Sequence, residues 1–177
     1  MPRLFTGLEI PEDIASELAL MRGGLFGARW IDVENYHITL RFIGDIDDAT
    51  ACDIHATLAQ IRKPRFTVTL DGLRSFGGAK PRAIVAKAAP GEALVELQAQ
   101  QERLMRRLGI APEPRKFTPH VTLARLRAAS NAAVADYLST RGYFGARRFE
   151  ASRFVLFSSR ASTGGGPYVV EATYPLS

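Results

Sequence analysis

The chain has 177 residues, 46% of them hydrophobic and 23% charged, a globular composition that suits one domain or two small lobes sharing a core. A single cysteine excludes an intramolecular disulfide or a Cys-rich zinc module, and no apolar run approaches the ~18 residues needed to span a bilayer. The net charge of +5 and pI of 9.7 permit an anionic partner, although arginine-rich codon usage explains the 19 arginines among 23 basic residues equally well.

Met1–Ile10 lacks the basic, apolar, small-residue order of a secretory signal, so a soluble, cytoplasmic protein is expected. Leu4–Ile10 alternates as a strand. Pro11-Glu12-Asp13 then opens a helix, with an apolar stripe of Ile14, Leu18, Met21 and Leu25 and a weak end at Gly23-Gly24. Trp30-Ile31 leads to a β-prone strand, Tyr36–Ile43, closed by Gly44. Asp47 is a good N-cap for a helix striped by Ala51, Ile54, Leu58 and Ile61, in which Cys52 reads as a small buried residue and His55 as a surface one.

Lys63-Pro64 ends that helix, and Phe66–Leu70 and Ala83–Ala88 read as strands on either side of a Ser75–Pro81 loop. The longest helix, Gly91–Leu108, buries Leu94, Leu97, Leu104, Met105 and Leu108, while Arg103, Arg106 and Arg107 form a solvated face. A proline-broken segment, Ala111–Pro119, delivers the strand His120–Leu126. After a short helix, Asn131–Thr140, the strands Phe149–Phe157 and Tyr168–Tyr174 flank a Gly164–Gly166 hairpin loop. Strands this often adjacent indicate α+β with antiparallel sheets rather than a doubly wound parallel sheet. Nothing matches the glycine patterns of Rossmann or P-loop nucleotide sites.

Two of the three histidines share one frame: His37-Ile38-Thr39-Leu40 and His120-Val121-Thr122-Leu123. Chance would produce that pair roughly once in ten thousand chains of this composition, so the repeat is the strongest signal present. On a strand, residues i and i+2 share a face, so each histidine stands beside its threonine while the intervening aliphatics point into packing. Imidazole gives or takes a proton near neutrality, and a neighbouring hydroxyl donates to an anionic oxygen. Two such pairs facing one cleft would bracket a phosphate, with a base on the attacking side and an acid on the leaving side. That arrangement requires no metal and no cofactor, and the sequence shows no dense Cys/His or carboxylate cluster.

The segments Arg29–Gly44 and Arg115–Arg125 resemble the RNA 2′,3′-cyclic phosphodiesterases, also called 2′-5′ RNA ligases, of the 2H phosphoesterase superfamily. The resemblance implies a bilobal α+β fold in which two antiparallel sheets are related by a pseudo-two-fold axis. Helices would lie outside and the active cleft between the lobes. Residues 1–177 would then be a single domain of two interleaved lobes, one carrying the His37 strand and the other the His120 strand. It further implies metal-independent hydrolysis of a terminal 2′,3′-cyclic phosphate to a 2′-phosphate, with inefficient reverse 2′-5′ joining. His120 would activate water and His37 would protonate the leaving 3′ oxygen. Thr39 and Thr122 would hold phosphate oxygens, Phe42 would stack on a base, and Arg125 would contact phosphate.

Phe42 and Arg125 each lie five residues beyond their histidine, so ideal alternation points them away from the cleft. It points Arg41 and Ala124 toward it, which makes Arg41 the parity-based candidate for the substrate side. Either the strands bulge there or the family roles do not transfer. Arg115-Lys116 is a candidate cleft-lining pair, Tyr36 a candidate stacking residue, and Trp30 a core residue. The expected partners are RNA ends, tRNA halves among them, or nucleoside 2′,3′-cyclic phosphates, with no membrane and a monomeric state. The rivals are a related enzyme for small cyclic phosphates or 2′-5′ linked oligonucleotides, and a non-catalytic RNA-end-binding module.

Overall fold

The structure, a computed structural model, describes residues 3–159 and 166–177. The chain begins with β1 (Arg3–Glu9), α1 (Glu12–Ala19), a short β2 (Ala28–Trp30), a 3-10 turn over Val33–Asn35, and β3 (His37–Asp45). It continues through α2 (Asp48–Leu58), β4 (Phe66–Phe76), β5 (Ala83–Ala88) and α3 (Glu92–Arg107). It closes with β6 (His120–Leu126), α4 (Asn131–Arg141), β7 (Arg147–Ala151), β8 (Arg153–Ser159) and β9 (Tyr168–Pro175).

Local chemistry explains most of these boundaries. Asp47 caps α2 by accepting from the Thr50 N–H at 2.8 Å, and Ser130 caps α4 through the Ala133 N–H at 3.1 Å. Pro11 precedes α1, which ends at Ala19 rather than carrying the stripe to Leu25. Gly23 and Gly24 adopt left-handed φ values of 91° and 78°, and Leu25 reaches the core through that turn. Cys52 is exposed, contrary to the sequence reading, because it lies off the Ala51–Ile54–Leu58 stripe and helical phase outweighs its apolar character.

Every strand pair is antiparallel, in the order β7-β4-β5-β6-β3-β1-β8-β9. This gives two four-stranded arrays, β7-β4-β5-β6 and β3-β1-β8-β9. The two expected sheets meet edge to edge at one pair, Ile38↔Val121. Toward the C-terminal end of β6, where β3 has not yet begun, β2 occupies the edge from Trp30↔Ala124 to Ala28↔Leu126. The expected strand Phe149–Phe157 is divided at Ser152, because the chain there crosses from β4's outer edge to β1 in the other array. α3 packs on β3, β4 and α2, and α4 packs on β4.

Both motif strands carry the same irregularity. In β3 the pairing with β1 steps from Gly7↔Thr39 to Thr6↔Arg41, leaving Leu40 as an extra residue. In β6 the pairing with β5 steps from Val85↔Thr122 to Ile84↔Ala124, leaving Leu123 extra. A bulge of this kind puts two consecutive residues on one side. Leu40 and Arg41 are both buried, as are Leu123 and Ala124. The bulge in β3 is fastened from the core side. The buried Thr6 hydroxyl accepts from the Arg41 N–H at 3.1 Å and donates to Gln101 of α3.

Gly7 permits this close approach, since a Cβ there would stand 2.7 Å from the Ile38 carbonyl oxygen, a backbone atom with little room to yield. Gly7→Ala is therefore expected to cost about 1–3 kcal/mol. Equilibrium denaturation should show a lower midpoint with an unchanged m-value. A wild-type midpoint would contradict the tight packing assigned to this position.

Candidate active site

Both motifs open into one cleft of about 740 Å³, lined by His37, Thr39, His120 and Thr122 among others. The junction of the arrays explains the convergence. Ile38 and Val121 face each other and are fully buried, so their neighbours project to the opposite side. Antiparallel register then sets His37 beside Thr122 and His120 beside Thr39. From strand spacing and rise, the two histidine backbones stand roughly 8 Å apart on the diagonal, which leaves room for one phosphate between the side chains.

His37 sits against an aromatic wall. Its ring centroid is 5.0 Å from Phe5, 5.0 Å from Tyr168 and 5.5 Å from Phe157. Phe5, Val155 and Phe157 form a small apolar cluster of their own, on the opposite face of β1 from Leu4, Thr6 and Leu8. Burial pushes the His37 imidazole down to about 4. The Asn35 carbonyl works in the opposite direction, and the charges of His120 and Arg125 add to the lowering. His120 is also lowered, chiefly by burial, with the Thr118 carbonyl opposing and Arg125, Arg115 and Arg82 reinforcing. Its ring meets Phe76 edge-on at 4.7 Å.

The two imidazoles are oriented alike. His37 Nδ1 lies 2.9 Å from the Asn35 carbonyl oxygen, and His120 Nδ1 lies 2.6 Å from that of Thr118. A carbonyl only accepts, so each Nδ1 carries the proton and each neutral ring keeps its lone pair on Nε2. His37 Nε2 accepts from the Thr39 hydroxyl at 3.0 Å. A proton-accepting nitrogen and a hydroxyl are thus held together on the first strand, and the second repeats the backbone tether.

The bulges decide which flanking residues join this site. Phe42, 41% exposed, and Arg125 both line the cleft, although simple alternation would have turned them away. Arg41 is the converse case and corrects the parity-based expectation. It is 3% exposed, lies outside the cleft, and pairs with Glu102 of α3, because the extra residue Leu40 rotates it to the core side. Arg115 and Lys116 line the cleft, as does Arg82, which the sequence reading passed over. Tyr36 is buried rather than available for stacking, and Trp30 packs 5.7 Å from Tyr137.

Arg103 and Arg106 are exposed and paired with Glu96 and Glu102. His55, exposed on α2, contacts the Tyr174 hydroxyl at 2.8 Å. Of the glycine loop, residues 164 and 165 lie outside the described residues; the strands on either side, β8 and β9, pair antiparallel. The aromatic wall and the two carbonyl tethers left no mark in the sequence, since the wall is assembled from β1, β8 and β9 and the tethers are backbone atoms. No helix is long and apolar enough to cross a membrane among the described residues.

The duplication seen in the strands is also present at the level of family comparison. The LigT-like phosphoesterase family matches the chain twice, over residues 8–86 and 84–168. Its class is thereby defined as a phosphodiesterase assembled from an internal repeat, and the chain belongs to the LigT-like phosphoesterase family. It is 31% identical over 172 residues to the RNA 2′,3′-cyclic phosphodiesterase of Aquifex aeolicus, covering 94% of this chain and 89% of that one. It is 40% identical over 103 residues to the Aeropyrum pernix protein of the same name, spanning 57% and 58% of the two. Among solved structures, Escherichia coli LigT complexed with 3′-AMP superposes with a TM-score of 0.80 at 25% identity over 99% of both chains. The Thermus thermophilus protein TT0787 shares the fold, with a TM-score of 0.83 at 23% identity over 98% and 97%.

The lowered imidazoles set a pH dependence. Between the ordinary value near 6.5 and about 4, the unfolded chain binds a proton at His37 that the folded chain does not. Stability therefore falls as pH drops through this window, by on the order of 3 kcal/mol for His37, and flattens below it. NMR titration of the ring protons should show His37 titrating near 4 and His120 below the ordinary imidazole value. A His37 midpoint at or above 6.5 would refute the burial assigned to it.

Proposed function

We propose that the chain hydrolyses the terminal 2′,3′-cyclic phosphate of RNA to a 2′-phosphate, by acid–base catalysis shared between His120 and His37. The observation that carries this reading is the matched tethering of the two imidazoles around one cleft. The names of the relatives supply the substrate class, and the nucleotide in the Escherichia coli LigT complex agrees with a nucleotide-sized site. The same reading treats residues 1–177 as one domain of two interleaved lobes, each contributing one histidine strand.

In this mechanism His120 Nε2 takes a proton from water as the water oxygen bonds to phosphorus. The bond from phosphorus to O3′ breaks on the opposite side, and His37 delivers its Nε2 proton to O3′. The products are a 2′-phosphate and a 3′-hydroxyl. Thr39 and Thr122 donate to the non-bridging oxygens, while Arg125 offsets charge that develops in the transition state. Imidazoles, hydroxyls and guanidiniums supply every step, so none calls for a metal ion or cofactor. Joining ends by the reverse route would draw only on the strain of the cyclic ester, which makes it inefficient.

His37 must enter the reaction protonated, yet burial holds it near 4 in the free cleft. The anionic substrate resolves this, because a negative charge beside Nε2 favours the imidazolium and raises its pKa. The pH profile of kcat/KM, which reports the free enzyme, should form a bell with one limb near 4, set by His37, and the other below the ordinary imidazole value, set by His120. The falling limb of kcat should lie at higher pH, since it reports the bound state.

Hydrolysis of cytidine or adenosine 2′,3′-cyclic phosphate in excess EDTA tests the reaction. His37→Ala and His120→Ala are each expected to lower kcat by at least about a hundredfold. Phe42→Ala should raise KM, with a loss of about 1–3 kcal/mol. Chelator-sensitive turnover, a 3′-phosphate product, or a fully active histidine variant would overturn the mechanism.

A further inference from the structure

Arg41 sits outside the cleft but at the centre of a buried polar network. Its guanidinium donates to the Glu102 carboxylate, to the Phe42 carbonyl, and to the Ala111 carbonyl at 2.6 Å. Glu102 in turn accepts from Arg106 at 2.9 Å and from the Glu113 N–H at 3.2 Å. Burial works to raise the Glu102 carboxyl, but these donors outweigh it and hold the group ionised below its ordinary range. Glu113 then accepts from both the backbone N–H and the Nε of Arg115, each at 3.2 Å.

The segment so held joins α3 to β6, has no helix or strand of its own, and contains Pro112, Pro114 and Pro119, which lack an N–H. Its far end has a separate anchor, the Ala88 N–H to the Pro119 carbonyl at 3.1 Å. Its near end leaves α3 through the Ile110 N–H to the Met105 carbonyl at 3.0 Å, and Ala111 and Glu113 are then held by Arg41 and Glu102, while Phe117 packs on the core. Between the two anchors lie Arg115 and Lys116, both on the cleft wall.

We propose that the buried Arg41–Glu102 pair is a positioning device that holds Arg115 and Lys116 over the anion site of the cleft. The bulge that turns Phe42 into the cleft is the same feature that sends Arg41 inward to make this tether. The inference rests on the cleft binding a phosphate-bearing ligand, as proposed above. Because the far end is anchored independently near His120, losing the tether should weaken binding and leave the proton transfers largely intact.

The test replaces both charges together in R41M/E102M, since an apolar pair of similar volume avoids leaving one charge buried alone. Calorimetry with 3′-AMP should show Kd raised by about tenfold to a hundredfold, and KM for the cyclic nucleotide should rise in parallel while kcat stays within about threefold. Arg115→Ala should weaken 3′-AMP binding in the wild type and add nothing in the double variant. If R41M/E102M does not fold, R41K carries the same test. Its ammonium keeps the charge facing Glu102 but cannot also reach Ala111, so weaker 3′-AMP binding is again expected. Wild-type affinity in a folded variant, or an equal cost of Arg115→Ala in both backgrounds, would overturn the proposal. A wild type that binds 3′-AMP but turns over no cyclic phosphate would defeat only the proposed reaction.

Discussion

The strand pairing between β3 and β6 is confined to one residue pair, Ile38 and Val121, and the geometry of the cleft depends on that economy. Both side chains are fully buried, so the motif residues on either side of each are forced to the opposite face. Had the strands paired along their whole length, the continuous floor would leave less depth for a ligand. Because the pairing is so short, β2 can occupy the edge of β6 that lies beyond the start of β3, and the proline-rich segment before His120 forms a wall. A short antiparallel contact therefore creates the approach of the two histidines and the space between them.

The site also shows how backbone irregularity changes the meaning of a sequence. Strict alternation assigns His37, Thr39 and Arg41 to one face and Phe42 to the other. A single extra residue at Leu40 exchanges the roles of Arg41 and Phe42, and the equivalent Leu123 does the same for Ala124 and Arg125. The duplicated tetrapeptides, the α+β class and nearly every helix and strand were legible, because they follow from periodicity and capping within short windows. The bulges were not, since they depend on partners in β1 and β5: Thr6 on the buried amide of Arg41, and Gly7 allowing close approach to Ile38. The division of Phe149–Phe157 at Ser152 escaped for a similar reason. Its residues are uniformly β-prone, and only the competition between two arrays for strands breaks them apart.

Electrostatics and burial act in the same direction on His37 at the cleft floor. The aromatic wall of Phe5, Phe157 and Tyr168 desolvates His37, while Arg125 and His120 add positive potential. Both effects disfavour the imidazolium in the empty site, while the positive potential alone favours an anion, which under the proposed reaction would restore the proton. The surrounding guanidiniums differ in how they are held. Arg115 is braced by Glu113, whereas Arg41 is withdrawn entirely to brace the segment that carries Arg115. Of the arginines near the site, Arg82, Arg115 and Arg125 thus face the cleft while Arg41 serves as internal scaffolding.

The account stands on both imidazoles reaching a single phosphorus centre. A crystal soaked with inorganic phosphate examines this directly. One tetrahedral anion should lie within hydrogen-bond distance of Nε2 of both His37 and His120, with the Thr39 and Thr122 hydroxyls on its remaining oxygens. An anion held by one histidine alone, or bound away from the Ile38–Val121 junction, would contradict it.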